Sequence, residues 1–428
     1  MIAEPKEPFL KSFEQLDRSR PTAALQPLRQ AGRNRFRALP FPSPHTEDWR
    51  FTSVAPLLQT PFELAGEADA IDPHLLPALP TADAIRLTFV NGRFVANLSN
   101  CDRLATGITV GNLANATPEQ TRQLAQIADG RDQVFTALNT ALLHDGAFVI
   151  VPDGKSLEQT IEILYVTHAA GKKLTIQPRT LLVAGKNSRA TLVERYLAVD
   201  AAPATYFTNA VTEIAVGANA VVDHYKVQLE SLAAYHVANT QAVLAPAANF
   251  TTHYVALGGG LVRNEVRVRF DGEGGEATVN GLYLGGGKQH LDNYTVIDHA
   301  QPRCASHELY KGVLADQAHG VFNGKIFVRK DAQKTDAKQT NKVLLLSDGA
   351  TINTKPQLEI FADDVKCTHG ATIGQLNADQ LFYLQTRGIP AEQARRLLTF
   401  AFANDVVNRI KIEAIRSQLE SILMERNQ

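Results

Sequence analysis

The sequence predicts a mainly β protein whose core is a stacked β-solenoid between helical N-terminal and C-terminal segments. From about Ala147 to Gly374, β-favouring residues alternate with polar residues, and no long helical period is present. Within this stretch an apolar strand end, a small-residue turn and a β-rich run recur together, with anchors at Ala190, Ala220, Phe250, Ala277, Gly320 and Ala350. The steps between these anchors are 30, 30, 27, 43 and 30 residues.

A nearly constant step in a β-rich chain indicates a solenoid, because each coil buries its inward side chains only against the coils above and below it. An irregular β-sandwich is the alternative that the pattern alone leaves open. On the solenoid interpretation we expect three domains: an N-terminal helical domain with a small β-hairpin over residues 1–145, a β-solenoid core over residues 146–374 and a C-terminal helical domain over residues 375–428.

The beginning of the N-terminal domain is predicted to combine a helix, a linker and the hairpin. The segment from Thr22 to Gln30 favours a helix, with Pro21 in its first turn, where the missing N–H is harmless. The proline-rich residues 71–80 predict a linker. Residues 85–98 predict a strand pair, because Asn91-Gly92 at their centre is typical of a type I′ turn.

Two further helices are predicted before the solenoid begins. The first starts at Thr117, where Pro118 and Gln120 supply an N1 proline and a capping box, and it ends at Gly130. The second covers residues 132–144 and places apolar side chains on one face.

The C-terminal domain is predicted to contain three helices. The first has Asn377 and Gln380 as a capping pair, and the last runs from about Asp405 to Met424. The middle helix carries an apolar stripe at helical spacing, formed by Ala394, Leu397, Leu398, Ala401 and Phe402. These helices could cover the end of a solenoid or present a docking surface to a partner.

The overall composition excludes several classes of function. Lys plus Arg (43) nearly balance Asp plus Glu (44), so the chain lacks the cationic excess that nucleic-acid binding needs. The N-terminus lacks the layout of a secretory signal, and no apolar stretch approaches the roughly 18–20 residues that span a bilayer. We therefore expect a soluble, cytoplasmic protein that binds neither nucleic acid nor membrane.

The cysteines and histidines give one candidate metal-handling pair. The three cysteines, Cys101, Cys304 and Cys367, cannot form a disulfide framework or a four-cysteine metal site. Cys367 and His369 are two residues apart, so on a strand their side chains point to the same face. Thiolate and imidazole suit zinc or iron–sulfur species, but they supply only two ligands. The spacing alone is explained as well by a buried cysteine and a hydrogen-bonded histidine.

No motif of a familiar enzyme is present. The remaining histidines form no HxH or HExxH pattern, and no GxSxG segment occurs. The glycine-rich residues 258–260, 272–275 and 285–287 lack the phosphate-loop lysine and open no predicted helix, so turns between strands explain them.

Several segments in the second half of the chain resemble one known family. They are, in order, residues 307–312 (HELYKG), 322–326 (FNGKI), 337–341 (AKQTN), 356–360 (PQLEI), 364–372 (DVKCTHGAT), 381–384 (LFYL) and 387–389 (RGI), with residues 47–52 (EDWRFT) as an N-terminal tryptophan motif. Together they resemble the SufB/SufD family of iron–sulfur cluster assembly proteins. The form of residues 366–372 is similar to the SufD type, and Asn341 stands where the SufB type carries a cluster-associated cysteine.

The resemblance implies a right-handed parallel β-helix core and a non-catalytic scaffold role in iron–sulfur cluster assembly. It implies a heterodimer with a SufB-like paralogue and a SufC-like ABC ATPase, which hydrolyses ATP, on the C-terminal helices. The expected docking residues on those helices are Leu381, Phe382, Leu397, Leu398 and Phe402. It also implies a transient cluster, shared with the paralogue, that involves His369 and Cys367, and no tightly bound cofactor in the isolated chain.

Two other functions remain open from the residues themselves. One is a carbohydrate-active enzyme on a β-helix, although Asp363 and Asp364 are adjacent on the chain and would point to opposite faces of a strand. The other is a structural β-helix that associates with itself, so the isolated chain could be a homodimer.

Overall fold

The computed structural model describes residues 6–18, 23–66, 70–101 and 107–426. The α-helices in these ranges are α1 (Glu7–Arg18), α2 (Gln26–Ala38), α3 (Ala55–Gln59), α4 (Val134–Ala141), α5 (Ala378–Thr386), α6 (Ala391–Val407) and α7 (Glu413–Arg426). The strands are β1 (Glu63–Leu64), β2 (Ile85–Val90), β3 (Arg93–Phe94), β4 (Thr109–Asn112), β5 (Ala147–Val151), β6 (Ser156–Thr167), β7 (Leu174–Ile176), β8 (Arg179–Ala184), β9 (Arg189–Ala198), β10 (Phe207–Val216), β11 (Val221–Leu229), β12 (Tyr235–Leu244), β13 (Asn249–Ala256), β14 (Leu261–Phe270), β15 (Glu276–Gly285), β16 (His290–His299), β17 (Ala305–Leu314), β18 (His319–Val328), β19 (Asp336–Leu345), β20 (Thr351–Ile360) and β21 (Lys366–Gly374).

From β8 onward, successive strands alternate between two long sheets. Sheet 1 has the order β20-β18-β16-β14-β12-β10-β8-β5-β4, with β7 and β1 joined at its side, and sheet 2 has the order β21-β19-β17-β15-β13-β11-β9-β6-β2-β3. Neighbours along this core pair in parallel. Each coil therefore contributes one strand to each sheet, which confirms the predicted parallel β-solenoid between helical ends.

The true repeat differs from the predicted anchors. The column of paired residues in sheet 2 is Ala190, Val222, Phe250, Ala277, Ser306, Ala337 and Cys367, with steps of 27 to 32 residues. Ala220 lies two residues before its column, whereas Gly320 belongs to sheet 1 and Ala350 directly precedes a strand of sheet 1. The step of 43 residues, from Ala277 in sheet 2 to Gly320 in sheet 1, therefore spans one coil and part of the next. Small residues occupy corners of both sheets, so the pattern alone did not distinguish one corner from the other.

The inward side chains of the two sheets meet in one continuous core, and two glycine–tyrosine pairs show how tightly it is packed. A Cβ at Gly281 would collide with the Tyr310 ring of the next coil, and a Cβ at Gly312 would collide with Tyr283 of the previous coil. Each ring therefore fills the space that a missing side chain leaves in the neighbouring coil.

The predicted helix from Thr117 to Gly130 is wrong, because this segment forms a series of turns. Its capping box does form: the Thr117 N–H donates to Gln120 Oε1 at 2.8 Å. Beyond it, the buried Glu213 carboxylate accepts N–H groups from Ala125, Ile127 and Ala128 at 2.8–3.1 Å. These tertiary hydrogen bonds replace the ones that a helix would make.

The other N-terminal predictions are partly confirmed. The hairpin forms between β2 and β3, and both turn residues have positive φ, 50° at Asn91 and 79° at Gly92, as a type I′ turn requires. The helix expected over residues 132–144 is the shorter α4, which is buried along its whole length. Of the predicted helix at Thr22–Gln30, Pro21 and Thr22 lie outside the described residues, and α2 begins at Gln26.

Residues 71–80 contain one 3₁₀ turn, Pro73–Leu75, and are otherwise irregular, as a linker would be, but they are fastened to sheet 2. Arg86 Nη2 donates to the Pro77 carbonyl at 2.8 Å, and Ile71 and Leu76 pack on the cluster that contains Leu164.

Among the helices of the described residues, none combines the length and the apolar character that a membrane span requires.

In the C-terminal segment, Asn377 caps α5 by accepting the Gln380 N–H at 3.0 Å, as predicted. The predicted last helix forms as α7, but its predicted start is wrong, because Asp405 continues α6 and α7 begins at Glu413. Between them, Lys411 Nζ binds Asp223 of sheet 2 at 2.8 Å. This tertiary anchor holds the break between the helices in place.

The predicted stripe on α6 is also wrong in its rotation about the helix axis. The buried residues of α6 are Ala394, Thr399, Ala403, Val406 and Val407. Ala403, Val406 and Val407 pack with α7 against the outward face of sheet 2. Of the predicted stripe only Ala394 is buried, and Leu397 and Ala401 are exposed. Contacts with sheet 2, rather than the helical spacing of the apolar residues, determine which face of α6 is covered.

Candidate functional site

The predicted pair lies on the final coil of the solenoid. β20 and β21 are the outermost strands of sheets 1 and 2, and among the described residues no strand pairs with their outer edges. Residues along both strands are exposed or half-buried, in contrast to the buried strands of the preceding coils. The solenoid therefore ends in two open strand edges.

Cys367 and His369 stand over buried side chains of the preceding coil. Cys367 pairs in register with Ala337, and His369 pairs with Gln339; both partners are at most 1% exposed. Because residues two apart on a strand share a face, both side chains continue inward-facing columns of the core. The side chains of Cys367 and His369 therefore lie on the same face of β21, as predicted.

The two side chains differ in their surroundings. Cys367 is half-buried against the small apolar cluster that contains Ile326, Ala337 and Leu358. Burial raises the pKa of the Cys367 thiol, which favours the protonated, packing form. His369 is exposed. Of the two, His369 is the side chain that can reach a ligand outside the chain.

The described part of the chain holds no cluster of three or more His, Cys, Asp or Glu residues arranged to hold a metal ion. Cys367 and His369 thus supply at most an incomplete ligand set.

Beneath His369 the core is polar, which the sequence reasoning missed. Gln339 Nε2 donates to Glu308 Oε2 at 2.8 Å, and both side chains are buried. Burial raises the pKa of Glu308 to about 7. The signal that could have found this carboxyl is its place two residues from the buried Tyr310, on the inward phase of its strand.

A second polar group lies deeper in the solenoid and was also missed. His224 Nε2 lies 3.0 Å from Glu194 Oε2, and His236 Nδ1 lies 2.6 Å from Glu230 Oε2. Burial by itself would raise the pKa of Glu194, but the hydrogen bond and charge of His224 hold it below its usual value. Burial lowers the pKa of the neighbouring Lys226 to about 8. His224 is therefore a buried histidine of the core.

The predicted docking residues of the C-terminal helices are divided between two surroundings. Phe382 is 68% exposed and Leu397 is 37% exposed, with Leu381 and Leu398 half-buried nearby in the sequence. Phe402 instead faces the solenoid, where Lys311 Nζ lies 4.5 Å from its ring centroid. Phe402 therefore helps to attach α6, whereas Phe382 and Leu397 are the two of the five that are exposed to solvent.

The N-terminal tryptophan motif is fastened to the outward face of sheet 1. The Trp49 ring lies 4.1 Å from the Arg263 guanidinium. Thr52 Oγ1 donates to Asp292 Oδ2 at 2.5 Å and lies 2.9 Å from His290 Nε2. The motif thus holds the N-terminal segment on the solenoid.

Comparison with known proteins agrees with this architecture. Residues 165–402 match the SufBD core domain of the SUF system for FeS cluster assembly, and residues 8–163 match the SufBD protein N-terminal region. A SufBD family iron–sulfur cluster assembly protein of Synechocystis is 35% identical over 91% of this chain and 88% of its own length. The iron–sulfur cluster assembly protein SufD of Escherichia coli is 32% identical (88% and 87%), and SufD of Bacillus subtilis is 28% identical (97% and 96%). This chain therefore belongs to the SufB/SufD family of iron–sulfur cluster assembly proteins and is SufD-like within it.

Proposed function

We propose that this chain is a non-catalytic scaffold subunit that acts with a SufB-like paralogue and a SufC-like ABC ATPase to build and transfer nascent iron–sulfur clusters. ATP hydrolysis belongs to the ATPase partner. The observation that carries the proposal is the open end of the solenoid, where unpaired strand edges and the exposed His369 lie side by side. With three cysteines in 428 residues, the chain suits the reducing cytoplasm.

The paralogue occupies the outer edges of β20 and β21. An open edge offers backbone N–H and C=O groups to a strand of a second chain. Large apolar side chains at the same end support this pairing, since Phe361 is 59% exposed, Ile373 is 47% exposed and Ile360 is 38% exposed. In the absence of the paralogue, a second copy of this chain can use the same edges, which gives a homodimer.

A nascent cluster, the cargo of the assembly, is shared across this interface. His369 contributes one ligand, and Cys367 contributes a second only when its thiol loses the proton that burial favours. The paralogue supplies the remaining ligands. An incomplete ligand set on each chain gives binding that can be released, which suits transfer, and leaves no tightly bound cofactor on the isolated chain.

The ATPase docks on the C-terminal domain, residues 375–428, through Leu381, Phe382, Leu397 and Leu398. The exposed apolar surface of Phe382 and Leu397 supports this assignment, because such side chains are typical of protein interfaces. Phe402 acts from beneath by holding α6 on the solenoid.

The cluster site is tested by anaerobic co-purification with the SufB-like and SufC-like proteins, followed by iron and sulfide analysis. We expect His369→Ala to retain the complex and lose at least half of its iron and sulfide. The matched control is His307→Ala, an exposed histidine on the outward phase of sheet 2. Unchanged iron and sulfide in His369→Ala would contradict the cluster site but not the scaffold role.

The docking surface is tested separately by the amount of ATPase recovered with the complex. We expect Phe382→Asp to lose the ATPase while the SufB-like paralogue remains bound. Leu75→Asp is the control, because Leu75 is similarly exposed at 55% but belongs to the N-terminal segment. Normal ATPase recovery with Phe382→Asp would refute this docking surface.

A further inference from the structure

A cavity of about 210 Å³ lies between the N-terminal segment and the outward face of sheet 1, away from the cluster site. Its apolar wall includes Phe41, Trp49 and Phe135, whose rings pack with centroids 5.5–5.6 Å apart. The exposed residues Thr46 and Asp48 also line it. A dry cavity of about 150 Å³ holds benzene, so this volume suits one fused two-ring system.

Two buried polar side chains line this cavity with unmet hydrogen-bonding capacity. Arg263 is 1% exposed, and its Nη1 donates to Asp292 Oδ2 at 2.5 Å. Its Nε and Nη2 make no hydrogen bond within the described part of the chain, and the Glu265 carboxylate is 3.8 Å from Nη2, beyond hydrogen-bond distance. Unsatisfied buried donors of this kind are rare in folded proteins and indicate an acceptor that completes them.

The second group, Asn239, is 7% exposed and presents an acceptor. Its Nδ2 donates to Thr136 Oγ1 at 2.8 Å and to Gln133 Oε1 at 2.9 Å. These two bonds fix the amide orientation, so Oδ1 is the atom left without a partner among the described residues. The cavity therefore presents donors from Arg263 and an acceptor from Asn239 beside an aromatic wall.

The charges around the cavity restrict the ligand further. Arg263 is paired with Asp292, and Arg267 is paired with Glu265. The carboxylates of Asp48 and Asp132 also line the cavity, without further cations among its lining residues. This balance disfavours phosphates and other anions.

We infer that this cavity binds an uncharged, planar lactam heterocycle of purine size. Its ring carbonyl accepts from Arg263 Nε and Nη2, a ring N–H donates to Asn239 Oδ1, and its faces lie against the aromatic wall. Aromatic faces together with a few placed polar groups are typical of small-molecule sites. The site is independent of cluster assembly.

The test is a calorimetric titration of the full chain with hypoxanthine. Purine, which lacks the carbonyl, is the control ligand. We expect saturable binding of hypoxanthine and at least tenfold weaker binding of purine. Arg263→Lys keeps the positive charge beside Asp292 but loses the planar set of donors, so it should weaken hypoxanthine binding at least tenfold. Arg269→Lys, an exposed substitution on the same strand, should leave the affinity unchanged.

Three results would overturn the inference. They are the absence of saturable hypoxanthine binding, an equal affinity for purine, and an unchanged hypoxanthine affinity in a folded Arg263→Lys protein. Circular dichroism establishes folding. If Arg263→Lys does not fold, Val237→Phe takes its place, because Val237 lines the cavity and a larger side chain narrows it. Hypoxanthine binding that survives this narrowing also overturns the inference.

Discussion

Lys226 is a buried amine in the solenoid interior whose charge should make stability depend on alkaline pH. Its Nζ donates to Asn264 Oδ1 at 3.2 Å and lies 5.0 Å and 5.4 Å from the ring centroids of Tyr196 and Tyr254. Burial lowers the pKa of Lys226 to about 8 from the ordinary 10.5, although the attraction of two buried glutamates opposes this effect. The ammonium form is thus less stable in the folded chain than in water.

The direction of the pH dependence follows from proton binding. Between pH 8 and 10.5 the unfolded chain binds more protons at this lysine than the folded chain does, so the free energy of unfolding rises with pH. Integrated from pH 7 to pH 10, a shift of this size amounts to about 2.5 kcal/mol. Below pH 8 the buried lysine is mainly charged in the folded chain, so the free-energy cost of burying this charge is fully present.

The perturbation is Lys226→Met, which removes the charge and keeps an unbranched side chain of similar length. Urea unfolding followed by circular dichroism at pH 7 and pH 10 gives the free energy of unfolding for both proteins. We expect the wild type to gain about 2.5 kcal/mol more than Lys226→Met between these pH values. Any constant cost of losing the bond to Asn264 cancels in this difference.

Lys342→Met is the control, because Lys342 is exposed on β19 of the same sheet. It should follow the wild type at both pH values. Parallel pH dependence of Lys226→Met and the wild type would refute the reasoning, since the buried amine would then titrate alike in the folded and unfolded chains.

Three other predictions concern the solenoid. Burial raises the pKa of Glu308 to about 7. As the pH rises from 5 to 8, the free energy of unfolding measured in urea should therefore fall by about 2.5 kcal/mol more for the wild type than for Glu308→Gln. Equal falls would contradict this. Gly281→Ala should destabilise the chain by about 2 kcal/mol, because its Cβ meets the Tyr310 ring, whereas Gly286→Ala, with only an ordinary contact, should change the thermal midpoint little. Burial lowers the pKa of His290 to about 4, so folded stability should fall between pH 6.5 and pH 4, and His290→Gln should reduce that fall in acid-unfolding curves.

The sequence by itself determined the repeating β core and the local turn and cap chemistry. Periodicity of two indicated strands with an inward and an outward face, and the recurring small-residue corners favoured a solenoid over the β-sandwich that the pattern alone left open. Asn91-Gly92 formed its predicted turn, and Asn377 capped its helix. It also fixed the common face of Cys367 and His369, since i and i+2 on a strand share a side wherever the strand lies.

The tertiary structure decided which local tendencies were realised. Thr117–Gly130 has a working capping box but no helix, because Glu213, about 90 residues away in the chain, binds its N–H groups. The face of α6 was selected by sheet 2, and the charged groups of the interior became visible only once the coils were in register. Each depends on contacts between residues far apart in the chain, and periodicity carries no information about those. The difference in exposure between Cys367 and His369 has the same origin. It depends on which side chains of the preceding coil lie beneath each residue, and the sequence of the motif itself does not specify these.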